Sequence, residues 1–357
     1  MLEAARAKMD AGDLAGAQTL ANDLLQQFPN SPNAPGAQLM LGRIRLKTTP
    51  DATQDLLTAF SLVRTKYPQS AEAADALVHI GYLHSRSRTA ESVADFESFI
   101  KSYPNHAETA RVSQSLGRLY LRTNDLDKAE ASFDKVKGIP NASTSVAGEA
   151  ALQSGFVKIM KYYASKDRAD LQPAIAALGA CATSKNVKVR ARAALGIAEA
   201  TLLLKKPTEA HAKYLAAAQE FSSIPYFRGI ALYGMALCSQ QTGLVGRAAK
   251  EYADVLLAQS GKTLTEKERS WKAYALASTS QNAQVRIQNN GDWQTLPGSD
   301  MLRLAAYQYG RCLYLMSKYD EAMTVLSDLI QALPDGDAMR IQATQLRESC
   351  RDAKEGM

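Results

Sequence analysis

Apolar positions along this chain recur at helical spacing in stretches that are separated by short polar turns. The turns include DAGDL, RTNDL and QQTGL. In the helix that follows such a turn, an alanine is often followed four residues later by a large apolar residue, as at Ala129 and Phe133 or at Ala322 and Leu326. Residues four apart share one face of a helix. The pattern predicts pairs of amphipathic helices along most of the sequence.

A small residue marks each predicted pair at intervals of 36 to 41 residues. We call these residues the ladder positions: Ala5, Gly42, Gly81, Gly117, Gly155, Gly196, Gly234, Ala273 and Gly310. A glycine inside a helix costs about 1 kcal/mol relative to alanine. We expect each glycine to let a neighbouring backbone come close, which would offset that cost. A fixed period of this length is typical of solenoids.

Prolines close the first four predicted pairs at a matching interval. Pro29, Pro68, Pro104 and Pro140 lie 39, 36 and 36 residues apart, each after an aromatic or aliphatic residue. Proline cannot continue a helix, and the Asn or Gln that follows it favours a turn. The second helix of each pair is therefore predicted to end just before its proline.

Composition and charge exclude several classes of protein. Hydrophobic residues make up 46% of the 357 residues, which is enough for a continuous core, and the net charge of +6 is a mild excess. No apolar run is long enough to span a membrane. The four cysteines are widely spaced without a C-x-x-C motif, so we expect buried thiols, with disulfides as the alternative.

The repeats resemble the tetratricopeptide repeat family. That family places a Leu-Gly pair and a Tyr on the first helix, an Ala and a Phe on the second, and a closing Pro. Residues 116–140 match with Leu116, Gly117, Tyr120, Ala129, Phe133 and Pro140, and the last unit matches with Gly310, Leu313, Ala322, Leu326, Leu329 and Pro334. The resemblance implies an all-α, right-handed α-solenoid of about eight to nine helix pairs with a C-terminal capping helix.

Departures from the repeat pattern divide the chain into five segments. Regular repeats occupy residues 1–142, divergent repeats 143–260, a disturbed repeat 261–300, the last repeat 301–336 and the capping helix 337–357. In the disturbed repeat, residues 261–281 are expected to form a helix that carries Ala273. The Gly-, Asn- and Pro-rich sequence from Val285 to Asp300 is expected to form a very short helix or a surface loop.

Two short sequences narrow the resemblance further. Residues 28–42 and 67–81 are similar to repeats of bacterial cell-envelope proteins, of the outer-membrane assembly lipoprotein and Tol-Pal-associated types. The resemblance implies a periplasmic or envelope location, with the cytoplasm as the alternative. Because Ala5 lies so close to Met1, we also expect a native signal or lipid anchor before the first helix. An upstream segment without an export signal in the complete gene would contradict this expectation.

The sequence offers no recognisable catalytic, cofactor or metal site. His79 and His84 are five residues apart, off a common helical face, and no H-E-x-x-H motif occurs. Gly261 and Lys262 are similar to the end of a phosphate loop, but the required upstream glycine is replaced by Leu256. We expect the histidines to be structural, the protein not to be an enzyme, and no cofactor or metal to be bound.

The surface of the predicted superhelix then becomes the candidate site. In the family that the chain resembles, the first helix of each pair lines the concave groove. The positions six and three residues before each ladder glycine, and one, four and five after it, are expected to face that groove. The candidate partner-binding residues are Arg43, Lys47, Tyr82, Arg86, Arg111, Arg118, Arg122, Phe156, Tyr307, Arg311 and Tyr314.

Two interpretations of these residues stay open. The arginines can hold the carboxylates of an acidic partner, in a groove that is basic near the N-terminus and apolar beyond it. Alternatively, they pair with acidic residues on neighbouring helices. We expect a non-enzymatic scaffold that binds a peptide or protein, within envelope assembly. The alternative is a nucleic-acid-binding or regulatory helical-repeat protein.

Overall fold

The computed structural model describes residues 1–140, 142–258, 284–286 and 295–356. They form two compact units, Met1–Ala147 and Gly148–Met357. Helices account for about four fifths of the described residues, which confirms the predicted all-α class and its consecutive helix pairs. Among the described helices, none is long and apolar enough to cross a lipid bilayer.

The first unit is a succession of antiparallel helix pairs. Its helices are α1 (Leu2–Asp10), α2 (Leu14–Gln27), α3 (Ala34–Thr48), α4 (Thr53–Lys66), α5 (Ala71–His84), α6 (Thr89–Ser102), α7 (Thr109–Arg122) and α8 (Leu126–Val136). Each helix packs on the next along the chain. We call the odd-numbered helices of this unit the A helices, because they carry the ladder positions, and their partners the B helices.

The second unit continues with helix pairs of less regular length. Its helices are α9 (Thr144–Ser165, which begins just before the unit), the 3₁₀ turn Arg168–Asp170, α10 (Leu171–Gly179), α11 (Val187–Leu203), α12 (Pro207–Glu220), α13 (Pro225–Gln241), α14 (Val245–Ala258), α15 (Gly298–Leu315), α16 (Tyr319–Ala332) and α17 (Ala338–Glu355). The predicted C-terminal helix is α17, which buries Ala343 and Cys350. All four cysteines of the chain are buried thiols, as expected.

The closing prolines end the B helices as predicted. Helices α2, α4 and α6 each stop two residues before Pro29, Pro68 and Pro104. The turn also links neighbouring pairs, since the Tyr67 hydroxyl donates a hydrogen bond to the carbonyl oxygen of Pro29 at 3.3 Å. A turn within a pair also has its own signal: Asp125 caps the start of α8 by accepting a hydrogen bond from the Lys128 amide at 3.1 Å. Local turn chemistry therefore defines the length of each pair.

The ladder glycines of the first unit accommodate aromatic rings, which corrects our expectation of a close backbone. A Cβ atom on Gly42 would lie 2.8 Å from the ring of Phe60, and one on Gly117 would lie 2.7 Å from the ring of Phe133. Gly81 meets the ring of Phe96 in the same way. Each ring comes from the B helix of the same pair and is almost fully buried. The glycine thus provides space for a side chain.

The ladder glycines of the second unit meet different neighbours. Gly234 faces the ring of Tyr214 from the preceding pair, and Gly196 faces both Phe156 and Leu178 from earlier helices. At Gly310 the neighbour is again within the same pair, since a Cβ atom there would lie 2.9 Å from Leu326. Gly155 also meets a residue of its own pair, Leu178, so the contacts of Gly196 and Gly234 are the ones that differ from those of the first unit.

The disturbed repeat contains a β-hairpin. Strands β1 (Gln284–Arg286) and β2 (Thr295–Pro297) pair antiparallel, with Val285 opposite Leu296. For Val285, Arg286 and Thr295–Pro297, the expectation of a very short helix or a loop is wrong. The predicted helix at residues 261–281, with Ala273 in the ladder position, lies outside the described residues.

Substitution of a ladder glycine tests the ring contact directly. We expect Gly117→Ala to lower the free energy of unfolding by about 1–2 kcal/mol. Overpacking against Phe133 costs about 1–3 kcal/mol, whereas the better helix propensity of alanine returns about 1 kcal/mol. Urea denaturation followed by circular dichroism measures the change. When Phe133 is already replaced by leucine, the further loss of stability caused by Gly117→Ala should be smaller than in the wild type.

Gly148→Ala provides the matched control. Gly148 lies inside α9, and a Cβ atom there would meet nothing within 4 Å. This variant should therefore be unchanged or more stable than the wild type, by up to about 1 kcal/mol. If Gly117→Ala stabilised the protein as much as Gly148→Ala, the ring contact would not limit the ladder position.

Candidate functional site

The A helices of the first unit carry two rows of polar residues on one face. Arg43, Tyr82 and Arg118 each directly follow a ladder glycine. Lys47, Arg86 and Arg122 follow about one turn later. We call the first set the inner row and the second the rim row. All six are exposed except Arg43, which is partly buried.

The exposed face is narrower than predicted. Leu39, Val78 and Gln114, each three residues before a ladder glycine, are buried, and so is Leu121, four residues after Gly117. The A helices pack closely enough that these positions lie in the interior. Partner-accessible side chains on this face are therefore concentrated in the inner and rim rows.

In the inner row, Arg43 is paired with an acidic residue of the next A helix. Its Nη2 atom lies 3.1 Å from Oδ2 of Asp75, and its Nε atom donates to Nε2 of His79 at 3.4 Å. Oδ1 of Asp75 also lies 3.5 Å from Nε2 of His106. The alternative that arginines pair with neighbouring helices is therefore correct for Arg43.

His79 takes part in this cluster as a neutral acceptor. Its ring stacks on Phe60 with centroids 4.5 Å apart. Burial first, and the Arg43 guanidinium second, lower the pKa of His79 to about 4, although Asp75 opposes the shift. At neutral pH the imidazole is therefore uncharged and can accept the hydrogen bond from Arg43. This is a structural role, as the sequence predicted.

In the rim row, two arginines are anchored by backbone carbonyls. Nη1 of Arg86 donates to the carbonyl oxygen of Pro50 at 2.6 Å, and Nη1 of Arg122 donates to that of Ser85 at 3.0 Å. Both acceptors lie just after the preceding A helix. These bonds fix the arginines at the C-terminal ends of the A helices, where positive charge is favoured by the helix dipole.

The remaining candidates of the first unit have local partners. The hydroxyl of Tyr82 lies 3.2 Å from Oγ of Ser115, and its ring meets Phe96 edge-on at 5.1 Å. Arg111 lies 3.5 Å from Glu108 of the same turn. Arg118 is exposed on α7. The fold therefore brings the predicted basic residues of this unit onto one face, while their role in binding stays a prediction.

The apolar half of the predicted groove is not exposed. Phe156 is 3% exposed because its ring packs against Gly196, with the Arg192 guanidinium 5.5 Å above the ring centroid. At the other apolar positions predicted for this half of the groove, Leu152, Ile159, Met160 and Met235 are also buried and Ile197 is partly buried. The prediction that Phe156 lines the groove is therefore wrong. After Gly155 and Gly234 the next residue, Phe156 or Met235, lies in the core, whereas Arg311 after Gly310 is exposed.

Two of the three candidate side chains in the last repeat are less exposed than predicted. Tyr307 and Tyr314 are partly buried against the core of the second unit, and Tyr314 also packs near Tyr319 with ring centroids 5.8 Å apart. Arg311 is exposed. These three residues lie in the second unit, whereas the inner and rim rows lie in the first.

A buried charged network in the second unit was not predicted from the sequence. Nε2 of His211 lies 2.7 Å from Oε1 of Glu251, and Nε of Arg247 donates to the same oxygen at 2.9 Å. Ser239 donates to Oε2 of Glu251 at 2.6 Å. His211 and Glu251 are 40 residues apart, close to one repeat, so a search for charged residues at that interval could have found the pair.

The geometry of this network favours a structural role. The hydroxyl of Ser239 donates to the Glu251 carboxylate and not to His211, so the histidine is not placed to activate it as a nucleophile. The four side chains join helices α12, α13 and α14. Elsewhere in the described part of the chain, no group of three or more His, Cys, Asp or Glu side chains is arranged to hold a metal ion.

Comparisons with known proteins identify the repeats. Tetratricopeptide repeat models match residues 2–71, 82–144 and 304–336. None of the curated protein sequences is significantly similar to the chain.

Two solved structures share the fold. The C-terminal part of a TPR repeat-containing protein from Cytophaga hutchinsonii is 11% identical, with a TM-score of 0.54, over 74% of this chain and 97% of that one. A signal transduction ATPase with a tetratricopeptide repeat sensor, from Pyrococcus horikoshii, is 12% identical, with a TM-score of 0.56. That match covers 96% of this chain and 50% of the ATPase.

Removal of the buried carboxylate tests the network in the second unit. We expect Glu251→Gln to lower the free energy of unfolding by about 1–2 kcal/mol, because the amide weakens the buried hydrogen bonds with His211 and Ser239, while the half-exposed Arg247 remains solvated. Urea denaturation measures the loss. Glu209→Gln is the matched control, since Glu209 is an exposed residue on α12 paired only with surface lysines. It should change stability by about 0.5 kcal/mol or less. Equal losses in both variants would contradict a structural role for the network.

Proposed function

We propose that this protein is a non-enzymatic scaffold that binds a partner protein on the A helices of its first unit, because residues 2–71, 82–144 and 304–336 match models of the tetratricopeptide repeat. The segment bound there is acidic. The observation that carries the proposal is the charge of the inner and rim rows, which are formed by helices α3, α5 and α7.

The basic residues of this face outnumber the acidic residues that could neutralise them. Two acidic residues of this face are already paired. Asp75, in the first half of α5, pairs with Arg43, and Glu108, directly before α7, pairs with Arg111. Lys47, Arg86 and Arg122 are exposed, and within the described residues they form no ion pair. The C-terminal half of the face therefore carries uncompensated positive charge.

The chemistry of these side chains suits carboxylate ligands. A guanidinium group can bind a carboxylate through two parallel hydrogen bonds, which gives both affinity and orientation. The A helices are held in place by buried ring contacts, so the receptor loses little conformational entropy on binding. An acidic segment without stable structure of its own could therefore lie across the preformed face.

An acidic protein segment explains this face better than a nucleic acid does. Proteins that bind single strands combine basic residues with aromatic side chains on which bases stack. Tyr82 is the aromatic residue of the two rows, and its ring already packs edge-on against Phe96 while its hydroxyl contacts Ser115. The face is therefore charged but has no aromatic ring free for a base to stack on within the two rows.

We also propose that the scaffold acts in the bacterial cell envelope. The support is the resemblance of residues 28–42 and 67–81 to repeats of envelope proteins. Cell fractionation with the complete gene tests the location, and recovery of the protein in the cytoplasm would contradict it.

Charge reversal on this face tests the binding proposal. A fluorescent peptide of glutamate, serine and glycine should bind the wild-type protein, with an affinity that falls as salt is raised because the contacts are exposed. We expect the double variant Lys47→Glu, Arg118→Glu to bind this peptide at least about tenfold more weakly, which corresponds to the loss of about 1.4 kcal/mol. Fluorescence anisotropy measures the dissociation constant.

The matched control reverses two charges on B helices of the same unit. Arg64 and Lys101 are exposed in the last turns of α4 and α6, so Arg64→Glu with Lys101→Glu changes the net charge equally. This variant should keep most of the affinity. Equal losses in the two variants, or tighter binding of a single-stranded oligonucleotide of the same charge, would contradict the proposal.

A further inference from the structure

We infer that the second unit docks on an anionic lipid surface through the turns that join the two helices of its pairs. We call the residues that carry this docking the turn edge: Lys205, Lys206, Leu244, Leu315, Met316 and Lys318. The inference goes beyond the proposed function, because it assigns a second surface, on the other unit of the chain, to a different kind of partner.

The turn edge is continuous across three of the described pairs. The starts of α12 and α14 lie side by side, because Nη2 of Arg247 is 2.9 Å from Nε2 of His211. The turns before α14 and α16 also meet, since a Cβ atom on Gly246 would lie 3.9 Å from Cε of Met316. The three turns therefore form one edge of the second unit.

Large apolar side chains are exposed on this edge. Leu244 is 50% exposed, Leu315 55% and Met316 37%. At the A–B turns of the first unit, all of which are described, no large apolar side chain is exposed. Counted from the left-handed residue of each turn, Leu315 and Met316 correspond to Asp10 and Ala11 of the first pair. The second unit therefore has an apolar edge that the first unit lacks, and an exposed apolar patch of this kind is typical of an interaction surface.

Leu244 occupies a position where the first unit uses a capping aspartate. Asp125 stands at the same place in its turn, and its side chain accepts a hydrogen bond from the Lys128 amide at 3.1 Å. The Leu244 carbonyl also begins a helix, since it accepts from the Ala248 amide at 2.9 Å, but a leucine side chain offers no acceptor. This turn thus lacks a side-chain cap and exposes an apolar residue, and such departures from local preference are expected at functional surfaces.

Lys205 shows a similar departure in the backbone. Its φ is 63°, in the left-handed region that glycine adopts without strain. Gly12 and Gly243 hold the corresponding position in two other turns. The turn before α12 therefore holds a lysine where glycine is favoured.

The lysines give the turn edge a surplus of positive charge. Lys205 is exposed and forms no ion pair within the described residues. Lys206 and Lys318 form only exposed pairs, with closest distances of 3.6 Å and 3.1 Å, which water screens. The acidic residues at the starts of the three second helices are each paired with a basic side chain: Glu209, Glu251, Asp320 and Glu321.

The combination of leucine and lysine suits a lipid surface better than a protein partner. Lysine is depleted at protein–protein interfaces, and leucine is under-represented among the residues that dominate their binding energy. At a bilayer surface, apolar side chains enter the boundary between headgroups and acyl chains, and lysines stay beside anionic headgroups. An anionic bilayer is therefore the partner that this edge fits.

Vesicle flotation tests the docking. We expect the wild-type protein to bind phosphatidylcholine vesicles that contain about 30% phosphatidylglycerol at least about tenfold more tightly than vesicles of phosphatidylcholine alone, because each lysine near an anionic surface adds attraction. Lys205→Gln with Lys318→Gln should remove most of this difference. Equal binding of the wild type to both kinds of vesicle, or no binding to either, would overturn the inference and leave the proposed function standing.

Leu244→Asp separates docking from folding. The aspartate can cap α14 as Asp125 caps α8, so the melting temperature should equal or exceed that of the wild type. Affinity for the anionic vesicles should fall at least about fivefold, because an inserted apolar side chain is lost and a negative charge is added. Leu215→Asp is the matched control, since Leu215 is 39% exposed on α12 outside the turn edge. It should keep the affinity, and equal losses in the two variants would overturn the inference.

The oligomeric state distinguishes a lipid partner from a protein partner. Sedimentation velocity without vesicles should give the same value for the wild type and for Leu244→Asp. A change of oligomeric state in Leu244→Asp would show that this edge joins two copies of the chain, which would contradict lipid docking. Leu244→Asp should also bind the acidic peptide as tightly as the wild type does, because its substitution lies in the second unit.

Discussion

The contact between a ladder glycine and a ring of the opposite helix is the constraint on which the first unit depends. Any side chain at Gly42, Gly81 or Gly117 would collide with Phe60, Phe96 or Phe133. These rings are almost fully buried, so the helices cannot move apart without exposing them. The conformational cost of a glycine inside each helix is thus offset by the burial of a large aromatic side chain.

This contact also explains how the surface arises. Because the ring fixes each A helix against its B helix, the residues one and five positions after the glycine are exposed together in successive pairs. The turns then align neighbouring A helices, and Arg86 and Arg122 use the carbonyls at those turns as acceptors. The regular packing of the core thus places charged residues at regular intervals on the face. On the described helices α9, α11 and α13 of the second unit, the equivalent positions are buried or partly buried, as at Phe156 and Met235, and no such row forms.

The sequence was sufficient to predict the helix pairs, because glycine spacing, proline turns and apolar periodicity are local signals. It also indicated the places of Arg43 and Arg122 on A helices and of Arg86 close to the end of one, two residues beyond α5. It could not show that Arg43 is paired with Asp75, because that depends on the rotation of one helix against the next. Nor could it show that Phe156 is buried, because this depends on how helices of neighbouring pairs pack. The ring of Phe156 packs against Gly196 of the next pair. The hairpin at residues 284–286 and 295–297 lacks any strong alternation in the sequence.

A crystal structure of the protein with a bound acidic peptide would test the central claim most directly. The account predicts that the peptide crosses α3, α5 and α7, with carboxylate oxygens within hydrogen-bonding distance of the Arg86 and Arg122 guanidinium groups. The bonds from these arginines to Pro50 and Ser85 should remain in place. A peptide bound on the B helices or on the second unit, with the rim row left in contact with solvent, would contradict it.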